Sequence, residues 1–160
     1  METVLILAIF VSFGKWWNDY SSIYPEAYSW AWQYGHKETV SCVKSVYEKY
    51  DKIFFTKRYG EPHEFILFFF PWSPKKYQND PEKKWDYHSD WYWIDGFDKF
   101  SFINDWEILE KVKCIGKEKC LLVTSPDNYP KAMPAGRQGW NKIKTINYLD
   151  GRQVFEILEK

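Results

Sequence analysis

The chain has 160 residues, and its 22 basic and 22 acidic side chains give a formal net charge of zero. That length allows one domain with a substantial core, and the charge balance argues against a nucleic-acid partner, which needs a basic face to displace counterions from phosphates. Ten Trp, 12 Tyr and 12 Phe are more rings than an ordinary core hides, so many are expected on a surface that meets lipid headgroups, sugars or another protein domain. The alternative is an aromatic-rich core with the remaining rings scattered outside.

Val4 to Phe13 (VLILAIFVSF) is apolar except for Ser12, and Lys15, Trp16 and Trp17 follow it. A spanning helix needs about 20 apolar residues, roughly twice this run. A signal peptide wants a basic leader, and only Glu2 precedes the run. The pattern matches the outer end of a spanning helix, with Lys15, Trp16 and Trp17 at the membrane interface. A weak signal or anchor and a soluble amphipathic helix remain the alternatives. Residues 1–19 are therefore expected to be the C-terminal part of a transmembrane helix, and residues 20–160 an extracytoplasmic α/β domain.

Tyr20 to Tyr34 reads as a polar-aromatic segment leading away from the membrane. Gly35 opens a helix, HKETVSCVKSVYEKY, whose Val40, Val43, Val46 and Tyr50 recur at three- and four-residue spacing. Ile53 to Thr56 is a short buried strand. Gly60 lets the chain bend, and Pro62 suits the first turn of a helix that runs through EFILFFF to Pro71. Ser73-Pro74 caps a further helical turn, and Asp80 to Asp90 reads as irregular. Phe97 to Ile103 alternates and reads as one half-buried strand. A short helical return follows at Asp105 to Val112, then a buried strand at Lys119 to Thr124. Asp127 to Asn141 lacks periodicity, and AMPAGRQGW (132–140) looks like an insertion. IKTINYL and RQVFEIL flank Asp150-Gly151, which predicts a two-residue type I′ hairpin. The expected fold is α/β: a mixed sheet with flanking helices and a C-terminal β-hairpin.

The chain contains no Gly-rich phosphate loop, nucleophile elbow or HExxH helix. No catalytic residue, metal or cofactor is expected. His36 and His63 begin predicted helices, where a plain polar role is expected. Cys42, Cys114 and Cys120 fit no zinc spacing; Cys42 is expected on the buried side of its helix. Cys114 and Cys120 either close a small disulfide loop, if the domain faces an oxidising space, or stay as thiols. The densest cluster, WDYHSDWYWIDGFDKF (85–100), interleaves carboxylates with flat rings. Rings stack on the C–H face of a pyranose while carboxylates accept hydrogen bonds from its hydroxyls. Trp85, Trp91, Trp93 and Asp95 are therefore the candidate substrate-binding residues. A membrane or inter-domain contact and a structural role stay open for the same residues, and a metal held by Asp86, His88 and Asp90 is the weakest reading.

The segments YSWAWQYGHKETVSCV (28–43), YDKIFFTKRYGEPHEFILFFF (50–70), SPKKY, FDKFSF, NDW, LLVTSPDNYP and INYLDGRQVFEI together resemble the C-terminal soluble region of a family of bacterial membrane glycosyltransferases. That family is of the GT-C class, similar to dolichyl-phosphate-mannose protein mannosyltransferases and lipid A aminoarabinose transferases. The resemblance runs in order along nearly the whole chain after residue 15. It implies a cell-membrane enzyme that moves a sugar from a polyprenyl-phosphate carrier to an acceptor, with this domain on the extracytoplasmic side. The implied partners are the membrane, the membrane-embedded catalytic region, and a lipid-linked sugar or glycan acceptor. The family's catalytic acid sits in the first extracytoplasmic loop, to which nothing here corresponds, so this polypeptide is not expected to transfer sugar alone. A free-standing carbohydrate- or surface-binding module from a split gene is the alternative.

Overall fold

The fold is given by a computed structural model that describes residues 1–128 and 139–160. Seven strands form one mixed sheet: β1 (Lys52–Thr56), β2 (Lys84–His88), β3 (Trp91–Phe97), β4 (Phe100–Ile103), β5 (Cys120–Thr124), β6 (Asn141–Asn147) and β7 (Gln153–Glu159). Their order is β2-β3-β4-β1-β5-β7-β6. The central trio β4, β1 and β5 is parallel, and every other pair is antiparallel. Among the described residues, the α-helical segments that accompany it include α1 (Glu2–Asn18), α2 (Tyr24–Ala27), α3 (His36–Val46), α4 (Pro62–Phe69), α5 (Pro74–Gln78) and α6 (Ile108–Lys111).

The central strands carry apolar residues on both faces because both faces are covered. Ile53 and Phe55 of β1, with Leu121 and Val123 of β5, point to one side, where Val40 and Val43 of α3 and Ile66 of α4 close the core. Phe54, Cys120 and Leu122 point to the other side and meet Ile108 of α6. The connection leaving β1 thus lies on one face of the sheet, and the connection leaving β4 on the other.

Local chemistry sets the helix boundaries. Gly35, the residue before α3, has φ +101, a conformation that glycine adopts without steric cost. Pro62 and Pro74 occupy first turns, where a missing N–H costs nothing, and Ser73 accepts a hydrogen bond from the Lys76 amide at 3.4 Å. Val40, Val43 and Ile66 are buried as their spacing requires, and Cys42 packs against the core.

Tyr20 to Ala27 is helical, continuing α1 through a π-helical turn at Asp19–Ile23 into α2. Three expectations need correction. Asp80 to Asp90 contains strand β2, whose polar Lys84 and Asp86 hid it because an edge strand shows little apolar signal. Phe97 to Ile103 is two strands joined at Asp98-Lys99, with Phe97 paired to Phe100. Both rings face the same core, their centroids 5.4 Å apart, which in sequence imitates continuous alternation. Asp98 takes φ +48 there, held by its amide donating to Asp80 Oδ2 at 2.7 Å.

The terminal hairpin turns through three residues rather than two. The Gly151 amide donates to the Tyr148 carbonyl at 3.1 Å, and the Tyr148 amide donates to the Arg152 carbonyl at 2.7 Å. Only Gly151 has positive φ (+85), so the turn is of type I with a glycine bulge, because a type I′ turn also needs positive φ at Asp150. No helix among the described residues is long and apolar enough to cross a membrane, so the expected end of a spanning helix lacks support. The expected insertion at 132–140 falls almost wholly outside the described residues.

Candidate functional site

The β2–β3 hairpin carries the aromatic cluster but divides it. Trp85 pairs with Ile94 and Tyr87 with Tyr92, so these residues share one face; Asp86 pairs with Trp93 and His88 with Trp91 on the other. Trp85, Tyr87 and Tyr92 form an exposed cluster with ring centroids 5.5 and 4.8 Å apart. Trp91 is exposed on the opposite face, and Trp93 is half-buried there. Asp95 sits where the register shifts, a β-bulge that turns its carboxylate to Lys57 Nζ in an ion pair. The four candidate residues therefore do not converge on one pocket. The His88 side chain lies outside the described residues, and the proposed set Asp86, His88 and Asp90 lies outside them with it.

The N-terminal helix is a second surface. Every residue from Met1 to Asn18 is exposed, and α1 buries nothing. Phe13, Trp16, Tyr20, Tyr24 and Tyr28 follow three- and four-residue spacing and form a ladder of rings 5.6, 5.4, 6.0 and 4.7 Å apart. Lys15 and Trp17 lie beside it, with Trp17 54% exposed. A helix apolar on all sides is stable only where something apolar surrounds it.

Cys114 and Cys120 are joined by a disulfide, with their Cα atoms 6.1 Å apart. The bond ties the loop before β5 to the strand itself. Among the described residues, Cys114, Glu118 and Cys120 make the one cluster with metal-ligand proximity, and its two sulfurs are already bonded to each other.

A third region has no counterpart in the sequence expectations. β1 and β4 are adjacent and parallel, and the chain leaves their C-terminal ends toward opposite faces. Open α/β sheets bind ligands at such a switch point. Here it forms a crevice of about 410 Å³ lined by Lys57, Arg58, Tyr59, Asn104, Asp105 and Trp106. Asp105 anchors it: Thr56 at the end of β1 donates to Oδ1 at 2.5 Å, and Ser125 just after β5 donates to Oδ2 at 2.6 Å. Arg58 Nη1 is 3.8 Å from the same carboxylate, and its side chain is 61% exposed. Trp106 is 80% exposed. Asn104 and Glu107 cap one another in reciprocal hydrogen bonds that fix the loop after β4. Burial pushes the Tyr59 hydroxyl up to about 12, with Tyr148 adding to the rise and Arg58 opposing it.

Beside the crevice, Lys57 lies between Asp95 and a half-buried pair. His63 Nδ1 is 3.3 Å from Glu61 Oε2, and neither atom makes a hydrogen bond of good geometry. Burial raises the Glu61 carboxyl, while the Lys57 charge opposes that shift. Burial first, and then Lys57, lowers His63 to about 4, so the ring is neutral near pH 7. The sequence signal for this region was the polar residues directly after strands: KRY after β1, NDW after β4 and SP after β5. Topology alone brings them together.

Comparison with protein families, with curated proteins and with solved structures finds no match to this chain.

Proposed function

We propose that the chain is a non-catalytic, extracytoplasmic α/β domain of a membrane glycosyltransferase that uses a polyprenyl-phosphate sugar, and that α1 holds it at the membrane. The observation that carries the reading is α1 itself, an apolar helix exposed on every side that runs into a ladder of Trp and Tyr rings. Seventeen helical residues extend about 25 Å, and the ten from Val4 to Phe13 about 15 Å, roughly one leaflet of hydrocarbon. Trp16, Trp17 and Tyr20 would then sit at headgroup depth, with Lys15 reaching the phosphates. The Cys114–Cys120 disulfide suits an oxidising space outside the cytoplasm. The transferase assignment draws on the resemblance of segments spread over the chain, and the catalytic membrane region is a partner in this reading. A free-standing carbohydrate-binding module is the second reading, favoured by the exposed Trp85, Tyr87 and Tyr92.

Vesicle flotation of the full chain tests this, with and without a polyprenyl-phosphate sugar in the bilayer. The wild-type chain should float and the Leu7→Asp, Phe10→Asp variant should stay in the dense fraction. Both residues lie on the exposed helix, so the α/β domain should fold unchanged. A wild-type chain that fails to float refutes membrane attachment. Flotation indifferent to the lipid-linked sugar would remove that molecule as a partner.

A further inference from the structure

We propose that the crevice beyond the C-terminal ends of β1 and β4 binds a pyranose bearing an anionic group, a phosphate or a carboxylate. Three features there point to a ligand. Arg58 is charged and largely exposed; it makes a long ion pair with Asp105 at 3.8 Å and also interacts with the Tyr59 hydroxyl. Both Asp105 oxygens already accept short hydrogen bonds from Thr56 and Ser125, so the guanidinium fork keeps donors for an incoming anion, which it can meet with two parallel bonds.

Trp106 is the second feature. A side chain of this size left 80% exposed presents a flat apolar face, the partner that the C–H face of a sugar ring requires. Its place is fixed, because the Asn104–Glu107 capping box holds the turn that carries it. The third is the crevice, whose volume of about 410 Å³ suits a single substituted ring rather than an extended chain. Asp105 is only 10% exposed and held at the crevice floor, and its remaining lone pairs can accept from a sugar hydroxyl. A simple anion would use Arg58 and leave Trp106 idle; a neutral sugar would do the reverse.

This proposal does not depend on membrane attachment, and its test reads no vesicle binding. The full chain, labelled with ¹⁵N, is kept in a polyoxyethylene detergent, which carries neither sugar nor phosphate. It is titrated with glucose 1-phosphate, glucuronate, glucose and inorganic phosphate, and the Trp106 indole resonance, assigned from the Trp106→Ala variant, is followed. Both charged sugars should saturate at least about tenfold more tightly than glucose or phosphate. Arg58→Ala should abolish the preference for charged over neutral sugar. Trp106→Ala, read at the Arg58 guanidinium resonance, should weaken both charged sugars about fivefold or more and leave phosphate unchanged. Ile115→Ala, exposed in the loop before β5 at the opposite end of the parallel strands, should change neither. Both altered side chains are exposed, so the variants should fold. Absence of saturable binding overturns the proposal, as does phosphate binding as tightly as glucose 1-phosphate or charged-sugar affinity that survives Arg58→Ala.

Discussion

Acid should destabilise this domain through His63, and the size of the effect follows from where that ring sits. His63 begins α4, its side chain only 12% exposed, and burial followed by the neighbouring Lys57 charge lowers it to about 4. An unfolded histidine titrates near 6.5. Above that value both states hold the neutral ring and the shift has no effect. Below it the unfolded chain takes up a proton that the folded chain refuses, so stability falls until the pH passes the folded value. At pH 5 the difference integrates to about 2 kcal/mol. Glu61 has the opposite sign: its carboxyl is raised in the fold, so proton uptake on acidification favours the folded state and offsets part of the loss. His36, 3% exposed at the start of α3, is also lowered by burial and adds to the loss. Urea denaturation at several pH values between 7 and 5, with wild type and His63→Gln, isolates the His63 share. The variant should lose about 2 kcal/mol less stability across that interval, whatever its stability at pH 7. Parallel curves for the two proteins would refute a buried neutral His63.

Two further outcomes follow from the covalent and steric frame. Replacing both Cys114 and Cys120 by Ala should reduce stability by about 2 kcal/mol, the loop-closure value for so short a loop, read as a lower urea midpoint than that of the oxidised parent. Gly35→Ala should cost about 2–4 kcal/mol, because φ is +101 and an added Cβ would stand 2.7 Å from Val154 Cγ1 in the core; a melting temperature within a degree or two of wild type would contradict the packing of α3 on β7.

What the sequence disclosed about the fold was the part specified by near neighbours. Val40 and Val43 mark one stripe of α3, Pro62 and Pro71 bracket α4, and KCLLVT is too apolar to be anything but a covered strand. Periodicity misled where two elements meet across a tight turn. In FDKFSFI the rings of Phe97 and Phe100 face one core from opposite arms of a hairpin. The turn between them is stabilised from elsewhere: Lys99 Nζ donates to the Tyr47 and Tyr50 carbonyls at 2.7 and 3.0 Å, contacts separated by about 50 residues. Local pattern carries no trace of such partners, and an edge strand such as β2 leaves none either, since one side of its backbone has no neighbour.

The candidate site was harder to read for a related reason. Compositional density drew attention to residues 85–100, yet density along the chain does not imply convergence in space. Strand pairing sends Trp85 to one face and Trp91 and Trp93 to the other, and the bulge hands Asp95 to Lys57. The crevice, by contrast, is assembled from short polar runs that follow three different strands, with Thr56, Asp105 and Ser125 joined through one carboxylate. Their convergence depends on β1 lying between β4 and β5, so that the ends of successive parallel strands stand side by side. A sheet order that moved β5 away from both β1 and β4 would carry Ser125 out of reach and leave Asp105 without its second anchor. The site is therefore a consequence of the crossover itself, and the residues to read first in a parallel sheet are those just past the strand ends rather than the most aromatic stretch of sequence.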